Sequence, residues 1–229
     1  MSVPHDDCTR LAVYDMDLTI TAPPSWTPWL LCWLRHEAPW RALLLPLALP
    51  FLIGFPLGLV DRKRLKEVTH RLVIGARIPK TRLERAARSF AVRFAVRATR
   101  SDALAAIEQD RADGFRILVA TASSTHYVRH LAAGWGIGDV VATRNVQDGA
   151  TVFSRIDGPN CYGADKLAAI EAWCRAEGLS RDRLFVRAYS DHRADLPLLD
   201  WADEPVVISP KPAMARIAAA RGWPVRQWR

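Results

Sequence analysis

The stretch Arg10-Leu11-Ala12-Val13-Tyr14-Asp15-Met16-Asp17-Leu18-Thr19 decides the fold. Its apolar run reads as a short buried strand, and the strand stops at two carboxylates. In extended chain, positions i and i+2 share a side. Asp15 and Asp17 therefore set two like charges next to each other, a repulsion that a hard cation or a shared proton relieves. Working outward, residues 116–120 read as a second strand leading to Thr121-Ala122-Ser123. Residues 124–133 read as a helix, and residues 140–156 as two short strands about the Gln147-Asp148-Gly149 turn. A helix over 164–177 closes at Gly178 and carries Lys166 in its first turn. Residues 184–189 form a strand leading to Ser190-Asp191, followed by a strand at 205–209 and a helix at 213–221. Strands alternating with helices imply an α/β fold, a Rossmann-like parallel sheet flanked by helices. Residues 22–105 interrupt that pattern as an inserted helical cap, so the expected core is 1–21 with 106–229.

The chain has 229 residues, half of them hydrophobic and about a quarter charged, which excludes a disordered chain. Its net charge of +8 is local. Residues 26–100 hold fifteen Lys and Arg against four Asp and Glu, and the rest of the chain is slightly acidic. Such a segment suits nucleic acid, an anionic membrane or a phosphorylated substrate. Cys8, Cys32, Cys161 and Cys174 form no C-x-x-C pair and no zinc spacing, so reduced thiols and a cytoplasmic setting are expected. The polar residues 1–10, with Asp6 and Asp7, do not read as a signal peptide.

Four polar elements fall at strand or helix ends: Asp15 with Asp17, Thr121, Lys166, and Asp191 with Asp195. Ligands of open α/β sheets bind along the carboxyl edge. There Asp191 can add an oxygen ligand for a cation, Lys166 can neutralise an anion and Thr121 can donate a hydrogen bond to it. A metal, a carboxylate nucleophile, a lysine and a hydroxyl together describe phosphoryl transfer. Taken singly, each is also an ordinary turn, cap or surface residue; the ordered set carries the signal.

These motifs resemble the four motifs of the haloacid dehalogenase superfamily, and the insert resembles the helical cap of its subfamily IB, which includes phosphoserine phosphatases. Within that subfamily the apolar, proline-rich insert looks most like that of phosphatidylglycerophosphatase C and its relatives. The resemblance covers about residues 10–210. It implies that Asp15 attacks phosphorus to give an aspartyl-phosphate and that Asp17 is the general acid and base. It also implies that Asp15, Asp17 (through its carbonyl) and Asp191 hold Mg2+. Thr121 and Lys166 would bind the phosphoryl oxygens, and Asp195 would support Lys166 or a metal-bound water. The residues alone do not choose which aspartate is the nucleophile. Leu18, Ala122-Ser123 and Ala194 depart from the phosphoserine phosphatase pattern and weigh against a phosphoserine substrate. Ser190 replaces the usual glycine before the last motif's aspartate. His192 beside it is expected to be a bystander, since magnesium prefers oxygen.

Residues 42–60 run nineteen positions without a charge and include Pro46, Pro50 and Pro56. About 20 apolar residues span a bilayer. One crossing, however, would part Asp15 from Thr121, Lys166 and Asp191, and a hairpin needs twice the length. The segment is expected either to dip into an anionic membrane surface or to pack inside the cap. In the first case the tryptophans Trp26, Trp29, Trp33 and Trp40 would lie at headgroup level, and Arg62, Lys63, Arg64 and Lys66 would face the lipid charge. Over 82–100 an amphipathic helix gathers Arg82, Arg85, Arg93, Arg97 and Arg100 on one face beside Leu83, Ala87, Phe90, Ala91 and Phe94. No nucleic-acid-binding motif is visible. His126 and His130, at i and i+4, are expected on a surface helix. The favoured reading is a peripheral enzyme of the inner membrane face that hydrolyses a lipid-linked phosphomonoester such as phosphatidylglycerophosphate. The alternatives are a soluble phosphatase of a small metabolite and a non-catalytic membrane-bound scaffold.

Overall fold

The structure is a computed structural model that describes residues 8–229, so most of the polar N-terminal stretch lies outside the described residues. The first strand, β1 (Thr9–Tyr14), is followed by the insert. The insert comprises α1 (Trp26–His36), a 3-10 stretch over Pro39–Ala48, α2 (Leu49–Gly54), α3 (Arg62–Val73), β2 (Arg77–Pro79) and α4 (Lys80–Ala98). The chain returns through α5 (Ser101–Ala112) to β3 (Arg116–Ser124), α6 (Thr125–Gly134), β4 (Asp139–Asp148) and β5 (Thr151–Asp157). It ends with α7 (Ala164–Ala176), β6 (Leu184–Ser190), α8 (Leu196–Trp201), β7 (Glu204–Ile208), α9 (Pro212–Arg221) and β8 (Val225–Arg226).

The strands form one sheet in the order β2-β5-β4-β3-β1-β6-β7-β8. All neighbours from β4 to β8 are parallel; β5 and β2 add antiparallel strands at one edge. The central strands are buried on both faces, which explains why β1 reads as a continuous apolar run. Ala12 and Tyr14 point to one face, Leu11 and Val13 to the other. The first face is covered by α5, α6 and the insert, through Ile107, Tyr127 and Leu131. The second is covered by α7, α8 and α9, through Ile170, Leu198, Leu199 and Met214. Connections leave β1 toward β3 on one side and return to β6 on the other, so β1 lies at the switch point of the sheet.

Several elements differ from the sequence reading. The second strand extends to Ser124 by continuing to pair with β4 across an irregularity between Thr121 and Ser124. Thr121 thus lies within the strand. The tryptophans do not form a headgroup belt. Trp29 and Trp33 are buried edge to face with each other, and Trp29 packs on Phe90 and Tyr127. Their i, i+4 spacing is the core face of α1. Of the four, Trp40 is the exposed one. On α4 the apolar face is buried as expected, but Arg100 lies beyond the helix and donates to the Trp228 carbonyl. His126 and His130 do not lie on a free surface: both meet Glu84 of α4, at 3.3 Å each, and His126 is buried. Arg129 closes the same cluster on Glu84, so α6 is tied to α4 by charge as well as by packing.

Under the sheet, buried Asp110 accepts from Tyr14 at 2.6 Å and pairs with Arg187 at 2.5 Å. Tyr14 stacks on Tyr189 with centroids 4.3 Å apart. Asp110→Ala leaves a phenol and a guanidinium short of a buried acceptor, and is expected to cost about 3 kcal/mol in urea unfolding. A loss below about 0.5 kcal/mol, the range of neutral surface changes, would contradict this account of the layer.

Candidate active site

Asp15 leaves the end of β1, its amide donating to the Tyr189 carbonyl at 2.9 Å. The chain then turns sharply: Leu18 has φ 67°, a left-handed conformation that an L side chain adopts only at a cost. The Thr21 amide and hydroxyl both donate to the Met16 carbonyl and hold the turn closed. On the neighbouring strand, the Thr121 hydroxyl oxygen accepts from the Ser123 amide at 3.1 Å. Lys166 sits in the first turn of α7 after Gly163, whose φ of 63° favours glycine. Asp191 and Asp195 follow β6.

Lys166 is the centre of this arrangement. Its buried ammonium donates to Asp15 Oδ1 at 2.8 Å and to Asp195 Oδ2 at 2.7 Å. Ser190 donates to the same Asp195 oxygen at 2.7 Å. Burial alone would lower the Lys166 pKa; the Asp15 and Asp195 carboxylates override that and hold it as the ammonium. Asp17 is held separately. Its Oδ1 accepts from the Ser25 amide at 2.9 Å, and its Oδ2 accepts from the Ser123 hydroxyl at 2.6 Å. Ser25 Oγ lies 2.9 Å from Ser123 Oγ and 3.0 Å from the Tyr127 hydroxyl. Asp17 therefore depends on both the insert and the core for its orientation.

All six residues singled out from the sequence, Asp15, Asp17, Thr121, Lys166, Asp191 and Asp195, line one cavity of about 330 Å3. The insert roofs it with Trp26, Phe55, Arg62, Leu65 and Lys66. Sequence reasoning missed Ser25, Ser123 and the cavity-lining role of Lys66. His192 lines the cavity as well, but its Nδ1 accepts from the Ala194 amide at 3.0 Å, which occupies that nitrogen locally.

Three buried carboxylates, Asp15, Asp191 and Asp195, against the one buried ammonium of Lys166 leave an excess of buried negative charge. Burial pushes the Asp15 carboxyl up to about 8; Lys166 opposes the rise, while Asp195 and Asp191 add to it. Asp191 is raised to about 6, by burial first and Asp195 second, and has no side-chain partner among the described residues. Asp195 Oδ1 is buried without a hydrogen bond. Among the described residues no three acidic, His or Cys side chains converge tightly enough to enclose an ion by themselves. The Asp191 carboxylate and Asp15 Oδ2, which accepts only a long 3.4 Å hydrogen bond from the Thr19 hydroxyl, nonetheless fit a hard divalent cation that completes its shell with backbone oxygen and water. Both carboxyls are more protonated folded than unfolded. Without a cation their contribution to stability is therefore lost as pH rises from about 4 through 6 and 8. Cation binding requires the carboxylates, so it strengthens over the same range. The thermal shift produced by saturating magnesium is expected to be larger at pH 8 than at pH 6. In chelator at pH 8, Asp191→Asn is expected to melt above wild type by about 2–4 °C for each kcal/mol of relieved repulsion. Equal magnesium shifts at the two pH values would contradict this electrostatic account.

Residues 12–200 match the family of haloacid dehalogenase-like hydrolases. Protein CicA of Caulobacter vibrioides is 30% identical over 198 residues, covering 85% of this chain and 83% of that protein. Other curated relatives, from Streptomyces azureus and Mycobacterium tuberculosis, are longer: the chain spans 44% and 37–38% of their lengths. Among solved structures, a Bordetella pertussis protein of unknown function superposes with a TM-score of 0.83 at 23% identity, covering 95% of this chain and 98% of that one. A phosphoserine phosphatase, solved as a phospho-aspartyl intermediate analogue, superposes with a TM-score of 0.58 at 13% identity, covering 91% and 90%. These two likenesses are of fold.

Proposed function

The chain belongs to the haloacid dehalogenase-like hydrolases, and we propose that it is a magnesium-dependent phosphomonoester hydrolase that works through a phosphoryl-aspartate at Asp15. The observation that carries this reading is the buried Lys166 ammonium shared by Asp15 and Asp195 at the floor of the cavity. In the first half-reaction an Asp15 oxygen attacks phosphorus while the bond from phosphorus to the ester oxygen breaks. Asp17, protonated at the start, gives its proton to the leaving alkoxide. In the second, Asp17 as carboxylate takes a proton from water, the water oxygen attacks phosphorus, and the bond to Asp15 breaks to release inorganic phosphate. Lys166 and Thr121 hold the phosphoryl oxygens, and Asp195 keeps Lys166 in place. Magnesium held by Asp15, the Asp17 carbonyl and Asp191 supplies charge neutralisation when bound. The Ser25 amide and the Ser123 hydroxyl hold the Asp17 carboxylate in place. The helical insert acts as the cap over this site.

The substrate reading departs from the favoured expectation of the sequence. Likeness of fold to phosphoserine phosphatases and the limited cavity support a small, soluble phosphomonoester. A lipid-linked phosphate is kept as a second reading for one reason. Eight large aliphatic side chains of the 3-10 stretch, α2 and the loop after it are exposed, among them Leu43 at 83% and Leu59 at 80%. No helix among the described residues is long and apolar enough to cross a membrane. Such a surface would meet the bilayer from one side, with the exposed Arg64 beside it toward anionic headgroups.

Phosphate release with magnesium tests both readings. Asp15→Asn is expected to lower kcat at least about a thousandfold on any substrate the wild type turns over. Release from soluble phosphomonoesters unaffected by detergent supports the first reading. Release only from phosphatidylglycerophosphate in mixed micelles, lost when Leu43, Leu47 and Leu59 become Ser, supports the second. Full activity in Asp15→Asn would overturn the mechanism.

A further inference from the structure

Residues 225–229 form a strap over one face of the sheet, and the mechanism leaves it without a task. Beyond β8 the chain is gripped by Ser209, at the end of β7. The Ser209 amide donates to the Arg226 carbonyl at 2.8 Å, and its hydroxyl accepts from the Trp228 amide at 3.0 Å. Ser209 makes both contacts at φ 40°, in the left-handed region that an L residue enters only at a cost. Trp228 is buried, in the same core as Tyr14 and Tyr189. Its ring lies 5.6 Å from that of Tyr189 and 6.4 Å from that of Tyr14, centroid to centroid. The two tyrosines are paired across β1 and β6 and stacked on each other. Each stands just before the site: Tyr14 precedes Asp15, and Tyr189 precedes Ser190-Asp191.

The backbone of Trp228 reaches a different part of the molecule. Its carbonyl accepts from Arg100, and the next amide, of Arg229, donates to Asp102 Oδ2 at 2.7 Å. Arg100 lies where the chain leaves the insert, and there the two connections of the insert run side by side. The Ala22 amide donates to the Ala98 carbonyl at 2.7 Å, the Arg100 amide donates to the Ile20 carbonyl at 3.0 Å, and Thr21 is bridged to Thr99. Thr21 also closes the Asp15–Asp17 turn on Met16. Trp228 therefore touches the two strand ends from which Asp15 and Asp191 depart and, through Arg100, the paired connections on which the insert hangs. Arg100 Nε is buried with no hydrogen-bond partner among the described residues. An unpaired donor and a strained serine are both costly, and a ring that only filled the core would require neither. We infer that Trp228 is a positioning residue: its ring sets the spacing of the Asp15 and Asp191 strand ends, and its carbonyl, through Arg100, fixes the connections of the insert. A close-packed interior passes such a displacement on to its neighbours. Without the ring, Tyr14 and Tyr189 relax into the space left behind, and the carboxylates one and two residues further on move with them. This inference rests on the magnesium-dependent reading and adds to it a residue that touches neither metal nor substrate.

Magnesium affinity and backbone exchange read the two halves separately. On the full chain at pH 8, well below the melting transition, calorimetry is expected to show magnesium bound about tenfold more weakly by Trp228→Ala than by wild type, the size of effect that supports of metal ligands carry. Leu184→Ala opens a cavity at the far end of β6 and serves as the stability control; it is expected to keep the wild-type affinity. Trp228→Phe keeps a ring against both tyrosines and is expected to bring the affinity back to within about twofold of wild type. Trp228→Leu covers a failure of the alanine variant to fold and is expected to show a smaller loss in the same direction. In Arg100→Gln, hydrogen exchange over residues 20–22 and 98–101 is expected to quicken while magnesium affinity stays at the wild-type value. Wild-type affinity in Trp228→Ala or Trp228→Leu, an equal loss in Leu184→Ala, or unchanged exchange in Arg100→Gln overturns the inference. A wild type that binds no magnesium would instead count against the metal-dependent reading. Exchange over residues 14–22 and 98–101 in Trp228→Ala and Trp228→Leu then decides the inference alone: faster than in Leu184→Ala supports it, and equal overturns it.

Discussion

A single buried ammonium, Lys166, keeps three segments of the chain in register. It joins the end of β1 through Asp15 to the loop after β6 through Asp195, from a position on α7 far from both in sequence. Removing one partner of such a buried pair costs about 3–5 kcal/mol, because the remaining charge stays uncompensated. The surroundings are built to tolerate it. Ser190 supplies another donor to Asp195, Gly163 sets the entry to α7, and the two-faced burial of β1 holds Asp15 at the sheet edge. The excess of acid around the ammonium then makes a site that is under electrostatic load until a cation and an anion arrive together.

The insert has two faces with different physical tasks. Its inner face buries Trp29, Trp33 and Phe90 against α6 and carries Ser25, Arg62 and Lys66 to the cleft. The backbone amide of Ser25 orients Asp17, so the proposed acid and base is set only when the insert is packed on the core. The outer face exposes the leucines of residues 43–59. A protein with this much apolar surface on one element is expected to use it in contact with something. The cleft holds little room for acyl chains, so any lipid recognition would be divided between the headgroup in the cavity and the leucine surface outside it.

Much of the core was readable from residue type and position. A β-strand buried on both faces leaves a continuous apolar run, and the polar residues at its end are visible against it; Asp15, Asp17, Asp191 and Asp195 stand out for that reason. Lys166 was readable from its place at a helix start. What sequence reading missed depends on packing between segments remote in sequence. Ser25 and Ser123 are 98 positions apart, and neither hydroxyl differs from a surface serine until the insert folds down. Lys66 was read as one of four basic residues facing lipid charge because its acceptors, Ala122 and Asn160, lie 56 and 94 positions away. His126 and His130 read as surface residues because Glu84, which covers them, belongs to the insert. Trp29 and Trp33 were misplaced at a lipid interface because aromatic clustering signals either a belt or a core, and their i, i+4 spacing was the better guide.

The central claim is that Asp15 becomes covalently phosphorylated while Asp17 does not. Quenching the enzyme during turnover and reducing with borohydride converts an acyl-phosphate to the corresponding alcohol, which peptide mass spectrometry locates. Homoserine at position 15, absent without substrate, is the result the account predicts. Reduction at position 17 or at Asp191, or an unmodified peptide from an enzyme shown to be turning over, would contradict it.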